Sequence, residues 1–365
     1  MSAATEFTPG GFVRLSIDIS FHAARAGWLL LEKGLFVSLL SRVGGLFFNL
    51  FEPLFRLGQR KLGQSRLGWM FVGPNLLVFG LFTFLPIAIN LVYATTGGVQ
   101  LMPFQRPFTG GENFGILLEC RNYFDIQSCR KDVFWRAIFN TVQFSLIQVV
   151  LMVVLSLLTA LVLNRKIIGR GFWRGVFFYP VLLSPVVVAL IWKWLLQSQG
   201  VFNAALVAVG ANPVAWLTDA SWAFFWTVFV SIWAHMGFYT LILLAGLQAI
   251  PHDMYEAAEM DGASPWRTLR RITLPLLMPN LIVVLVLAMI RAVQIFDEVF
   301  VLTGGGPGSA TTFIVQFIYQ TGFAEQIHLY GLAAAASLVL ALGLVLLTLV
   351  QLRLTRASDA GQRAR

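Results

Sequence analysis

Four polar residues stand together in one apolar stretch of the sequence, Leu276 to Leu302: Arg291, Gln294, Asp297 and Glu298. A charge in hydrocarbon costs about 2.5–3.5 kcal/mol on insertion scales, so such residues default to a protein interior or a watery cavity. Arg291 precedes the two carboxylates by roughly two helical turns, about 9–10.5 Å along an axis. Two arrangements satisfy that spacing. In one, the helix lines a polar passage and Gln294 offers hydrogen bonds to the hydroxyls of a solute. In the other, Asp297 and Glu298 are solvated at an interface and Arg291 pairs with a neighbouring helix. Asn140, Gln143 and Gln148 pose the same choice on an earlier run, between solute contact and bonds from helix to helix. His235 reads as hydrogen-bonded packing rather than a proton relay. Lys193, between Trp192 and Trp194, reads as a side chain snorkelling to the outer interface.

A second group of residues occupies the polar stretch 251–275, which reads as a helix–turn–helix lying outside a bilayer. Pro251 suits a first helical position, where its missing N–H costs nothing. Glu256 to Asp261 favour helix and include two small residues, Ala257 and Ala258. Gly262 supplies a turn, Ser264 and Pro265 form an N-cap and first-position pair, and Leu274–Pro275 close the second helix. Small residues permit close backbone approach, so this stretch has the chemistry of a docking surface.

The elements that must hold these groups follow from composition. Of 365 residues, 58% are hydrophobic and only 12% charged, against about 25% charged in soluble domains. Mean hydropathy is +0.76. This excludes a disordered chain, a secreted disulfide scaffold and an ordinary cytosolic enzyme, and defines a multi-spanning all-α membrane protein. Six runs reach the roughly 20 residues that a crossing helix needs: about 69–93, 137–163, 172–196, 222–250, 276–302 and 331–352. They are continuously apolar, without the alternation of barrel strands. Pro180 and Pro185 are expected to kink the third run, and glycines 304–306 form a loop leaving the fifth.

The net charge of +9 would suggest nucleic acid in a soluble chain, but here the bases act as topology determinants. With a cytoplasmic N-terminus, 19 of the 26 lysines and arginines fall on that side, which predicts both termini cytoplasmic. Residues 1–68 form an N-terminal extension without a cleavable signal. Within it Trp28–Phe55 is amphipathic and fits a helix lying in the membrane plane better than a seventh span. Residues 356–365 are a short cytoplasmic tail. Cys120 and Cys129 share the long outer loop and are candidates for a disulfide. Two cysteines are too few for an all-cysteine metal site, and no metal site is expected.

Glu256-Ala257-Ala258, then after three residues Gly262, then after nine more Ile272-x-Leu274-Pro275, resembles the EAA loop of permease subunits in bacterial ABC importers. Asp261 before Gly262, and the run Phe296 to Gly308, are similar to the carbohydrate-uptake branch that includes the maltose and glycerol-3-phosphate permeases. The resemblance covers about 66–355 and leaves the N-terminal extension unexplained. It implies the six-helix type I importer permease fold, with Glu256, Ala257, Ala258, Asp261, Gly262, Ile272, Leu274 and Pro275 as the surface that couples to an ATPase. It also implies a second homologous permease, as a heterodimer, two copies of a cytoplasmic ATPase, a solute-binding protein and a sugar substrate in the bacterial inner membrane. The chain has no Gly-x-x-x-x-Gly-Lys-Ser/Thr sequence, so ATP and Mg would be bound by the ATPase and no cofactor by this chain. The competing readings are an ion-gradient-driven secondary transporter, and the same machinery carrying glycerol-3-phosphate or another polar solute.

Overall fold

The structure, a computed structural model, describes Trp69 and residues 72–123, 125–165 and 167–363, with side chains as far as Arg353. The amphipathic Trp28–Phe55 segment lies outside the described residues. The chain divides into two compact units, Met1–Pro86 and Ile87–Arg365. Among the described residues no strand forms; the only β-pairings are isolated bridges, Thr96 with Phe108 and Cys120 with Cys129.

Among the described residues, six helices are long and apolar enough to cross a membrane. The first, α1 (Val72–Ala94), runs from the first unit into the second. After a short α2 (Glu112–Leu118) come α3 (Asp132–Asn164), α4 (Arg170–Phe178), α5 (Pro185–Leu196) and α6 (Val201–Ala208). The fourth span is α7 (Ala220–Ala249), followed by α8 (Asp253–Met260) and the fifth span, α9 (Pro265–Val293). Three helices complete the chain: α10 (Asp297–Leu302), α11 (Ile314–Tyr319) and α12 (Tyr330–Arg363). The main core joins α3, α7 and α9 through Phe144, Met152, Leu243, Leu277 and Val284, all buried. A second cluster, around Phe134, Phe317 and Ala335, joins α3, α11 and α12.

Two expected spans differ from the structure, both because apolar runs conceal backbone breaks. The third is not one helix over 172–196. Its first part, α4, ends in a 3-10 turn at Tyr179–Leu182, Ser184 is extended, and Pro185 starts α5. Pro180 and Pro185 both lack the N–H that a continuous helix would need. The stretch able to cross is instead Pro185–Ala208. The fifth expected span, 276–302, starts earlier and stops at Val293. Pro251 also departs from expectation, since α8 begins at Asp253 with His252 as its N-cap.

The segment between α1 and α3 folds around buried polar groups. Arg106, 7% exposed, donates from Nε to Thr96 Oγ1 at 3.0 Å and from Nη1 to the Gln100 carbonyl at 2.8 Å. Its guanidinium also lies 5.3 Å from the Tyr93 ring and 5.9 Å from that of Tyr330. Burial lowers the pKa of Arg106, with Tyr93 and Tyr330 acting in the opposite direction. Asn113 donates to the carbonyls of Ala94 and Thr96 at 2.9 and 3.0 Å. Cys120 and Cys129 are joined as a disulfide across nine residues, flanked by a bond from Arg130 N–H to the Glu119 carbonyl at 2.9 Å. Closing a loop of this length restricts the unfolded chain by about 2.5 kcal/mol. Cys120→Ser with Cys129→Ser is therefore expected to lower the thermal midpoint of the detergent-purified protein by a few degrees. An unchanged midpoint would show that the surrounding hydrogen bonds alone fix the loop.

Candidate functional site

The fifth span breaks where its polar residues begin. Gln294 still donates its N–H to Ile290 and Arg291, but Phe296 lies outside helical geometry, at φ −148° and ψ −60°. The chain restarts at Asp297 as α10. Non-helical backbone at membrane depth is tolerated where it is buried in protein or lines a wet cavity. A cavity of about 220 Å³ lies at this break, lined by Ser231 of α7, Leu287, Ile290 and Arg291 of α9, and Gln294 to Glu298. A larger cavity of about 360 Å³ is lined almost wholly by apolar side chains of α3, α9 and α12. The smaller one holds the polar groups and is the better candidate for a polar solute.

Two of its groups, Arg291 and Glu298, meet His235 of α7 behind the lining. Arg291 Nη2 contacts His235 Nε2 and lies 3.5 Å from Glu298 Oε1. His235 Nε2 is also 3.5 Å from Glu298 Oε1, and His235 Nδ1 is 2.9 Å from the Ser231 carbonyl. The Glu298 side chain is 6% exposed and that of Arg291 45%. Glu298 is thus a buried counter-ion holding a guanidinium that still reaches the cavity. Arg291 thus pairs with a neighbouring helix and also lines the cavity. Glu298 is not a solvated interface residue. Asp297 and Gln294 are exposed at the break and line the same cavity.

The candidates on α3 lie elsewhere. Asn140 is buried and donates to the carbonyls of Ser309 and Thr312 at 2.8 and 3.1 Å. It secures the loop after α10 and does not line the polar cavity. The neighbouring Thr141 hydroxyl accepts from the Ile314 N–H at 3.0 Å, so one turn of α3 holds the second half of that loop where it enters α11. Gln143 is exposed and outside the polar cavity, and Gln148 is buried. Asn140→Leu keeps the volume but strips two carbonyls of their donor, which is expected to destabilise by about 2 kcal/mol. A lowered midpoint with solute affinity intact in the surviving protein would separate this scaffold role from solute contact. The Lys193 ammonium donates to the Val301 carbonyl at 2.9 Å and ties α5 to α10. The glycines after α10 form a loop, with Gly304 and Gly305 at φ +65° and +95°. A Cβ on Gly305 would fall 2.7 Å from Gln316 Nε2.

At the other end of α9, residues 251–275 form a helical hairpin, but Leu274–Pro275 do not close its second helix, which runs on as α9 to Val293. Gly262 adopts φ +67°, its N–H donates to the Glu259 carbonyl at 3.0 Å, and the Ala263 N–H donates to Ala258 at 2.9 Å. Those two bonds are the Schellman pattern that ends a helix on a left-handed residue. Ser264 then caps α9 by accepting from the Arg267 N–H at 3.4 Å. Tyr255 and Thr273 join the two arms through their hydroxyls at 3.3 Å, a contact that sequence reasoning missed. Glu256, Ala257, Asp261 and Pro275 are exposed, Ala258 is buried, and Ile272 and Leu274 are half-buried. Met260 and Trp266 are 89% and 69% exposed. An apolar pair so exposed on a hairpin fixed by caps and a cross-bond offers a preformed surface to another protein.

Six spans, a capped polar hairpin between the fourth and fifth, and a charged cavity at the break of the fifth define a multi-pass membrane transport subunit. Residues 152–360 match the family model described as binding-protein-dependent transport system inner membrane component, and the chain belongs to that family. It is 38% identical over 297 residues to the trehalose/maltose transport system permease protein MalF of Thermococcus litoralis, covering 81% of this chain and 96% of the relative. It is 31% identical to the lactose transport system permease protein LacF of Rhizobium radiobacter, over 78% of this chain and 94% of the relative. Among solved structures, a chain of a bacterial ABC transporter that imports the acidic polysaccharide alginate superposes with a TM-score of 0.68 at 26% identity, over 82% of this chain and 98% of that one. The fold is that of a type I ABC importer permease.

Proposed function

We propose that this chain is the membrane-spanning subunit of an ATP-driven, binding-protein-dependent importer that moves a sugar or sugar-like solute by alternating access. The observation that carries the reading is the pairing, on one helix, of an exposed capped hairpin at one end with a charged cavity at the other. Relatives named for trehalose/maltose and lactose transport support a sugar as the solute. The hairpin is the seat of an ATPase, with Glu256, Asp261 and Gly262 at its turn. ATP and Mg belong to two copies of that ATPase, because this chain carries no phosphate-binding loop sequence. A second permease completes the pathway as a heterodimer, and a soluble binding protein delivers the solute. The assembly sits in the bacterial inner membrane with both termini of this chain in the cytoplasm.

Purification of the tagged protein from its own host in mild detergent, with mass spectrometry of the co-purifying chains, tests the assembly directly. An ATPase, a second permease and a binding protein are expected. A chain that purifies alone and moves solute in proteoliposomes without ATP would replace this reading by a secondary transporter.

A further inference from the structure

The cavity at the break holds one guanidinium and two carboxylates, Arg291 with Asp297 and Glu298. Glu298, 4% exposed, is 3.5 Å from Arg291 Nη2, so its charge is matched by that of the guanidinium. A backbone carbonyl only accepts, so His235 Nδ1, 2.9 Å from the Ser231 carbonyl, carries a proton. Its Nε2 then offers a lone pair to the Arg291 donor, and the imidazole adds no charge. Asp297 has no ion pair or hydrogen bond to its carboxylate among the described residues, and the Gln294 side-chain amide has no partner either. The net charge of the lining is therefore negative, and its free groups are one carboxylate and one amide.

We propose that Glu298 is a specificity-determining residue: by neutralising Arg291 it sets the cavity to accept uncharged polyhydroxy solutes and to refuse anionic ones such as uronates and phosphate esters. Asp297 accepts from hydroxyls, and Gln294 both donates to them and accepts. Low-dielectric walls concentrate a lining charge on whatever enters, so an anion meets Asp297 with no unmatched cation to offset it. Glu298 acts on the solute through Arg291. The fold leaves this choice open, since the solved alginate importer has the same fold and imports an acidic polysaccharide. The proposal rests on the importer reading and adds the charge class of its solute.

The test uses the complete importer in proteoliposomes. The chain has two cysteines, bonded to each other, so Gln294→Cys places a single free thiol of this subunit at the cavity. Its modification by a trimethylammonium-bearing and a sulfonate-bearing methanethiosulfonate is followed by the mass of this subunit. Adding Glu298→Gln is expected to lower the cation-to-anion rate ratio about tenfold. Arg291→Gln is expected to raise the ratio, and the double replacement to restore the Gln294→Cys value. Packing damage would not reverse with the sign of the charge removed, so a ratio that stays unchanged, or a double variant that fails to return, overturns the proposal. In a second arm the importer's own binding protein is screened by thermal shift against neutral oligosaccharides, uronates and sugar phosphates. A neutral ligand supports the proposal, whereas an anionic one overturns it and leaves the sugar-importer reading standing. If no sugar of any class binds, the sugar reading fails and the rate ratio still decides the role of Glu298.

Discussion

Gly262→Pro is expected to cut ATP-driven uptake by the assembled importer about a hundredfold, with the subunit still present in the membrane at its normal level. Gly262 sits at φ +67°, whereas proline is fixed near −65°. Proline also removes the N–H that bonds to the Glu259 carbonyl at 3.0 Å. The turn between α8 and α9 then has neither its left-handed residue nor one of its two closing bonds. Because the hairpin is exposed and outside the main core, the loss falls on the surface offered to a partner and spares the spans. Uptake and ATP hydrolysis are measured together in proteoliposomes; hydrolysis that continues without uptake identifies uncoupling. Normal uptake at normal abundance would remove the hairpin from the coupling role.

The largest effect on stability is expected at Gly237→Val, in the middle of α7. A Cβ there would fall inside contact distance of the Phe177 carbonyl oxygen and 2.9 Å from the Phe178 Cα. These are backbone atoms at the end of α4, where the turn Tyr179–Leu182 packs on α7, and no side-chain rotation relieves the clash. Overpacking of side chains costs about 1–3 kcal/mol, and a clash between backbones costs more. The variant is expected to lose its monodisperse peak in detergent size-exclusion chromatography. Gly175→Ala on α4, where an added Cβ meets nothing within 4 Å, is expected to leave the peak unchanged. If both variants elute as the parent does, α4 and α7 do not meet as closely as the structure places them.

How much of this was legible depended on the range of the physics. Spans of unbroken apolar sequence, such as α7, are set by local composition, and the hairpin 251–275 follows local rules for Gly262, Ser264 and Pro265. The third and fifth spans were misjudged because hydropathy counts side chains and overlooks backbone. Ser184 and Pro185 interrupt the third within apolar sequence, and the turn at Gln294–Phe296 ends the fifth where its polar residues begin. Pairings between helices were not legible. His235 and Arg291 are 56 residues apart, and Asn140 meets the Ser309 carbonyl across 169 residues. One signal was available: an intramembrane histidine, arginine and glutamate each need a partner, and together they can satisfy one another. Lys193 carried the same signal, and its partner, a carbonyl, has no mark in sequence.

The fifth span has a mechanical consequence of its own. Pro265–Val293 is 29 residues long, a lever of about 43 Å at 1.5 Å per residue. The capped hairpin is at one end of this lever, and Arg291 is at the other. Pivoted at the hairpin, a tilt of about 5° sweeps the far end through about 4 Å, more than the length of a hydrogen bond. A small angular input is thereby geared up into a stroke large enough to remake contacts in the cavity. The π-turn at Leu269–Thr273, Pro275 directly after it and Pro279 interrupt its regular hydrogen bonding, and the stiffness there would set how much of such a stroke arrives.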